Sequence, residues 1–318
     1  EADDLPAVLT VMAGRLAALV PPALQRLRRL AVRPLPPDQL GAQEDTRRNV
    51  HRHYDLSNEL FAEFLDETMT YSAALFTGPA SWETLADAQR AKIDRLLDQA
   101  RVGPGTRLLE IGTGWGELAL RAASRGAKVV SITLSEEQRA LAVDRVARAG
   151  LAGRVEILPA DYREVGGVHD AIVSVEMVEA VGARYWPVYF ATLDRLLAPG
   201  GRIAIQAITM PHDRMLATGD THTWIQKYIF PGGMLPSVTA IEDNLGDLRI
   251  VDRLSLRADY AETLRLWRER YLERAEAVGA LGFDEVFHRM WTLYLAYSEA
   301  GFRSRYLDVW QFTLGRRS

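Results

Sequence analysis

A chain of 318 residues, 48% apolar and 25% charged, can bury one large core or two modest ones. Its net charge of -4 argues against nucleic acid as a partner, because such binders rely on a broad basic surface. The absence of cysteine excludes disulfides, thiolate nucleophiles and cysteine metal sites, and six scattered histidines without an HExxH pair give no reason to expect a metal.

No run approaches the roughly 20 apolar residues of a membrane span. The opening stretch "EADDLPAVLTVMAGRLAALVPPALQRLRRLAVRPLPP" does not read as a signal peptide, since acidic residues precede its apolar part, and a cytoplasmic location is expected. Within it, residues 11–30 alternate apolar positions with Arg15, Arg26, Arg28 and Arg29, which predicts an amphipathic helix broken at Pro21-Pro22. One reading is a surface or subunit-packing helix, with a homodimer as a candidate assembly. The other is a basic face lying on anionic lipid, which would place the chain peripherally at the inner face of the plasma membrane. Lysine occurs only at Lys92, Lys128 and Lys227; the arginine bias fits either a GC-rich genome or contact with phosphate head groups. Residues 34–37 read as a linker, so 1–48 stands apart as an N-terminal helical segment.

Residues 49–76 mix polar and aromatic side chains without a single apolar stripe, the pattern of a cap over a site. The stretch "SWETLADAQRAKIDRLLDQA" predicts a helix N-capped by Ser81, with Thr84 three residues on and a stripe through Leu85, Ile93, Leu96 and Leu97. Residues 49–100 are therefore expected to form a cap and a lead-in helix. Strand 107–111, helix 117–124, strand 128–133, helix 136–149, strands 155–159 and 170–175, helix 185–197 and strand 202–208 follow. Such alternation predicts an α/β fold with a doubly wound, mainly parallel sheet. Residues 209–236 interrupt it, helices are expected at 260–277 and 283–300, and "LDVWQFTLG" reads as a closing strand. On this reading 101–318 is one domain, with a substrate-binding insertion around 209–300.

The first turn of that domain is Gly112-Thr113-Gly114-Trp115-Gly116, preceded by Glu110. A dinucleotide fingerprint would be GxGxxG, and its last position here is Glu117, a carboxylate beside the phosphates. Helix N-termini favour anions, so Glu117 suits a cofactor without pyrophosphate better. An acid before GxGxG is the pattern of S-adenosylmethionine (SAM) enzymes, where it faces the amino-acid end of the cofactor. The second strand ends with Thr133, Leu134, Ser135 and Gln138; the third ends in "PADYREV", where Asp161 could hold the adenine amino group and Tyr162 pack on the ring. A GxGxG turn alone is also compatible with a purely structural role; the ordered set favours SAM.

Beyond that core, "HYDLSNELF", "DETMTYSAALF", "LEIGTGWGELA", "SVEMVEAVG", "WIQKYIFPGGMLPS", "YAETLRLWRERY" and "YLDVWQF" resemble the cyclopropane-fatty-acyl-phospholipid synthase family and its mycolic-acid-modifying relatives. "AIQAITMP" and "YLAYSEAGFRSRYLDVWQ" are most similar to the actinobacterial tuberculostearic acid methyltransferases within it. The resemblance implies a class I SAM-dependent methyltransferase fold with helical cap insertions, and methylene transfer to an unsaturated acyl chain of a phospholipid. Oleoyl would become 10-methylene-stearoyl, which a separate reductase would convert to the 10-methyl product. Cyclopropane ring closure on the same substrate is the alternative, and a non-catalytic lipid- or SAM-binding module the alternative of another class.

The resemblance also implies roles for residues. Tyr71 and Ser72 in "TYSAALF" join the cofactor-binding set. Tyr54, Phe61, Tyr71, Trp224, Tyr228 and Phe230 are candidate substrate-lining aromatics, offering π-faces to a carbocation, though each would also serve as ordinary core. In the cyclopropane synthases a bound bicarbonate is thought to be the base. By motif its cradle here would comprise Ala73, Glu179, Gln206, the backbone of Ile208, and Tyr260. Ala73 stands where the family often has cysteine and Gln206 where histidine is usual. Neither brings a positive charge, so bicarbonate is expected to bind more weakly or to be replaced by Glu179 itself.

Overall fold

The computed structural model describes residues 4–15, 57–219 and 221–316. Tyr54, the linker at 34–37 and most of the helix predicted over 11–30 fall outside these residues. The described N-terminal helix is α1 (Leu5–Gly14), started by Asp4, whose carboxylate accepts from the Ala7 N–H at 3.0 Å.

Two helices lead in, α2 (Asn58–Phe64) and α3 (Trp82–Gln99). Ser81 starts α3 as expected, its N–H donating to Thr84 Oγ1 at 3.0 Å. The alternating units follow as β1 (Arg107–Ile111), α4 (Glu117–Ser124), β2 (Lys128–Ile132), α5 (Glu136–Arg148), β3 (Val155–Leu158) and β4 (His169–Val175). Then come a one-turn helix α6 (Val178–Val181), α7 (Trp186–Leu196) and the long strand β5 (Leu197–Thr209). Three short helices, α8 (His212–Thr218), α9 (Trp224–Tyr228) and α10 (Val238–Asp243), precede β6 (Leu248–Ser255). The chain closes with α11 (Arg257–Glu273), α12 (Ala275–Ala280), α13 (Glu285–Arg303) and β7 (Asp308–Arg316).

The sheet has seven strands in the order β3-β2-β1-β4-β5-β7-β6. The first five are mutually parallel, and β7 runs antiparallel between β5 and β6. Central strands of such a sheet are covered on both faces, and β1 accordingly buries four of its five residues. One apolar layer packs α3 and α4 on one face; α7 and α10 cover the other. A third cluster lies beside the sheet and unites α2, α11 and α13, including the fully buried Phe61, Phe64, Trp267 and Trp291. Helix α1 packs on α13.

Strand β6 belongs to the sheet although no strand was expected there, so the stretch 209–300 is not insertion throughout. The helix expected over 260–277 divides into α11 and α12, and β5 begins five residues before its predicted start. Strand order reverses across β1, between β2 and β4, so the carboxyl ends of β1 and β4 flank the crevice in which open α/β sheets bind ligands.

Candidate active site

A cavity of about 640 Å³ opens over that crevice. Its cofactor end begins at Glu110, the penultimate residue of β1. Glu110 is buried, lines the cavity, and accepts from Ser131 Oγ at 2.6 Å. Burial pushes its carboxyl up to about 8, a bias that a ligand's ammonium group would reverse. Gly112 follows at φ +97°, with Met177 so close that an added Cβ would lie 2.7 Å from its Cγ. Gly114, Thr113 and Trp115 also line the cavity. Gly116 does not: at φ +91° it caps α4, and its missing Cβ lets α5 approach, Ala142 Cβ being 3.0 Å from the place a Cβ would take.

On the β2 side, Thr133, Leu134 and Gln138 reach the cavity, whereas Ser135 works behind them, capping α5 by accepting from the Gln138 N–H at 3.2 Å. Asp161 and Tyr162 line the far side. The Asp161 carboxylate is held by Arg163, at 2.8 Å to Nε and 2.6 Å to Nη2. A carboxylate offers about four lone-pair sites, so this pair orients Asp161 and leaves acceptor capacity. Buried acid, open glycine turn and aromatic platform together fit SAM.

The expected catalytic group separates into two sets around two carboxylates. Glu179, on α6, is buried, and its Oε1 accepts from the Ile208 N–H at 2.5 Å. Its Oε2 is buried without a hydrogen-bond partner, and the residue lines the cavity. Burial first, and the charge of Glu176 second, push Glu179 up to about 8. Ala73, Gln206 and Tyr260 do not serve Glu179. Their donors converge on Glu176: the Ala73 N–H at 3.0 Å and Gln206 Nε2 at 2.8 Å on Oε1, the Tyr260 hydroxyl at 2.9 Å on Oε2. Tyr260 reaches the cavity wall, while Ala73 and Gln206 are not among its lining residues. The fully buried Lys92, bonded to Ser72 Oγ at 2.6 Å, interacts with Glu176 electrostatically. Glu176 and Lys92 were missed by sequence reasoning. The available signal was a second acid, three residues before Glu179 in the otherwise apolar run "AIVSVEMVEAV", at the carboxyl edge of β4.

The apolar end differs from expectation. Phe230 and Tyr71 line it, joined by Tyr294, whose hydroxyl lies 2.6 Å from that of Tyr71. Phe61 is core instead, fully buried against Tyr71 and Trp115 at ring separations of 5.1 and 5.0 Å. Trp224 and Tyr228 do not line the cavity. Both lie on the five-residue α9, where Tyr228 is half exposed and carries the Lys227 ammonium over its ring at 4.7 Å. No group of histidine, cysteine or carboxylate side chains able to hold a metal occurs among the described residues.

Residues 42–312 match the family described as mycolic acid cyclopropane synthetase. The chain belongs to the mycolic acid cyclopropane synthetase family. A relative in Mycobacterium tuberculosis, tuberculostearic acid methyltransferase UfaA1, is 62% identical over 323 residues, covering 98% of this chain and 75% of that protein. Cyclopropane-fatty-acyl-phospholipid synthase of Escherichia coli strain K12 is 38% identical over 266 residues, covering 83% of this chain and 66% of that protein. The chain thus spans about two thirds to three quarters of these relatives. The solved mycolic acid cyclopropane synthase CmaA1, complexed with SAH and CTAB, superposes with a TM-score of 0.77 at 33% identity, covering 84% of this chain and 97% of that one. The sheet and its helices are those of the SAM-dependent methyltransferase fold.

Proposed function

We propose that the chain is a SAM-dependent methyltransferase acting on the double bond of an unsaturated phospholipid acyl chain, converting oleoyl to 10-methylene-stearoyl on the route to tuberculostearic acid. One observation carries this reading: a single cavity joins the Gly112–Gly114 turn to a buried carboxylate oxygen, Glu179 Oε2, that no protein group satisfies. The 62% identity to a tuberculostearic acid methyltransferase supports the product.

SAM, when bound, supplies an electrophilic methyl group, and Glu110, Gly112, Gly114, Gln138, Asp161 and Tyr162 would hold it. An alkene is a poor nucleophile, and the cation left on the chain after methylation would be quenched by water. Phe230, Tyr71 and Tyr294 exclude water there and present π-faces to positive charge. A hydride shift to the neighbouring carbon places the cation under the new methyl group. Glu179 Oε2 then accepts a proton from that methyl, and the released C–H electron pair closes the exocyclic double bond. Reduction to a methyl branch requires a hydride and a proton, which a separate reductase would supply.

Access is proposed from a membrane surface, the inner face of the plasma membrane. Met12 of α1 and Tyr297 of α13 line the cavity yet are 53% and 50% exposed, which marks its opening. Val11 of α1 is 60% exposed and Leu216 of the cavity-lining α8 is 67% exposed. No helix among the described residues is long and apolar enough to cross a membrane.

Incubation with labelled SAM and oleoyl phospholipid, followed by mass spectrometry of the released fatty acids, tests the reading. The expected product is the 10-methylene acid, and the 10-methyl acid once a reductase is added. A cyclopropane as main product would overturn the product assignment. SAM binding without label transfer would make the chain a binding module.

A further inference from the structure

We propose that Glu176 is the resident anion of this pocket, so that turnover draws on no dissolved bicarbonate. The proposal rests on the methyltransferase reading above and concerns the same site. Three donors from three separate elements end on this one side chain: the Ala73 N–H from the loop after α2, Gln206 from β5 and Tyr260 from α11. These are donors that a small oxyanion would otherwise recruit, and a carboxylate covalently tied to the chain already occupies them.

The backbone makes the same point independently. Glu176 sits at φ +51°, the left-handed region that non-glycine residues enter at a cost. A glycine would take that conformation freely, so the strain is borne for a side chain. Its amide is fixed in this position by donating to the Gln206 carbonyl at 2.7 Å. Glu176 also lines the cavity, bringing a negative charge to a space that must shelter a cation on the acyl chain.

The two carboxylates divide the work. Burial pushes the Glu176 carboxyl up, and the Lys92 ammonium together with the donors on both its oxygens opposes that push in favour of the ionised form. Glu179 keeps one oxygen free and feels the charge of its neighbour, which raises its affinity for a proton. Glu176 therefore acts through Glu179 as a positioning charge and faces the cation directly, while Glu179 takes the proton.

The test uses the purified chain in carbonate-depleted buffer with vesicles containing oleoyl phospholipid. Wild-type turnover should be the same with and without added bicarbonate. Glu176→Gln should lower kcat by at least about a hundredfold with SAH affinity unchanged, and should move the acid limb of the residual pH–rate profile downward by about one unit. That movement is one a merely structural role would not produce. Glu176→Gly frees the three donors and relieves the backbone, and formate or bicarbonate should restore part of its activity. In parallel, NMR with carbon-13 bicarbonate should detect binding to Glu176→Gly and none to wild type, a readout independent of turnover. Wild-type activity that collapses without bicarbonate, bicarbonate bound by wild type, or full activity in Glu176→Gln would each overturn the proposal. Absence of label transfer by wild type would instead count against the methyltransferase reading, with the NMR comparison still deciding who holds the donors.

Discussion

Glu179 shows how one side chain's surroundings set its chemistry. Its carboxyl, pushed up to about 8 by burial and by Glu176, is mostly protonated at neutral pH and would have to ionise to act as the proposed base. Besides each other's charge, the ionisable groups that bear on Glu179 and Glu176 include Lys92 of α3, the hydroxyl of Tyr260 on α11, shifted upward by burial and Glu176, and the hydroxyl of Tyr189 on α7, shifted upward chiefly by burial. The rate should accordingly rise with pH through about 8 and level off above it, as measured from pH 6 to 9 at saturating SAM. Glu179→Gln should cut kcat by at least about a hundredfold, the usual effect of losing a positioned base, with SAH affinity by calorimetry nearly unchanged. Turnover in that variant close to wild type would remove Glu179 from the mechanism. The place of Glu179 on the cavity was legible, because a carboxylate after the fourth strand lies at the ligand edge of such a sheet. Its neighbour was not. Glu176 is met by donors separated from it in sequence by 30 residues or more, and no local pattern announces that convergence.

At the scale of elements, the glycine turn between β1 and α4 has two jobs that the motif does not distinguish. Gly112 lines the cavity beside Met177, while Gly116 faces away from it and lets α4 rest against α5. Gly116→Ala would place a Cβ 3.0 Å from Ala142 at φ +91°, a strain of about 1–3 kcal/mol. For a chain of this size the melting temperature should fall by several degrees, with SAH affinity changed far less than in Gly112→Ala. Calorimetric melting and binding of both variants decide it; loss of SAH binding in Gly116→Ala at an unchanged melting temperature would assign that glycine to the cofactor instead. The periodic elements β1, α4, β2 and α5 were readable to within a residue, since buried parallel strands and capped helices advertise themselves locally. Strand β6 did not. It is a sheet-edge strand whose burial is only partial, and an exposed Val251 beside a half-buried Asp252 breaks the apolar–polar alternation of residue types that would have revealed it.

For the whole molecule, the proposed function asks the cavity to receive an acyl chain from a bilayer while remaining dry at Glu179. The apolar side chains at its opening offer a way to meet both demands. Met12 and Val11 are half or more exposed on α1, and α1 is held in place by packing on α13, whose Tyr297 shares the opening. Residues of that kind gain about 1 kcal/mol or more each on leaving water, so together they could seat the opening in the acyl boundary and keep water from following the substrate inward. Substituting both as Val11→Asp and Met12→Asp reverses this at the surface without touching Glu110, Glu176 or Glu179. The apparent KM for oleoyl phospholipid in vesicles should then rise at least tenfold, a loss of about 1.4 kcal/mol or more. For a short-chain, freely soluble unsaturated substrate, kcat and KM should stay near wild type, because the chemistry beneath is intact. Equal losses on both substrates would show that α1 shapes the cavity itself, and unchanged vesicle kinetics would remove α1 from the docking face.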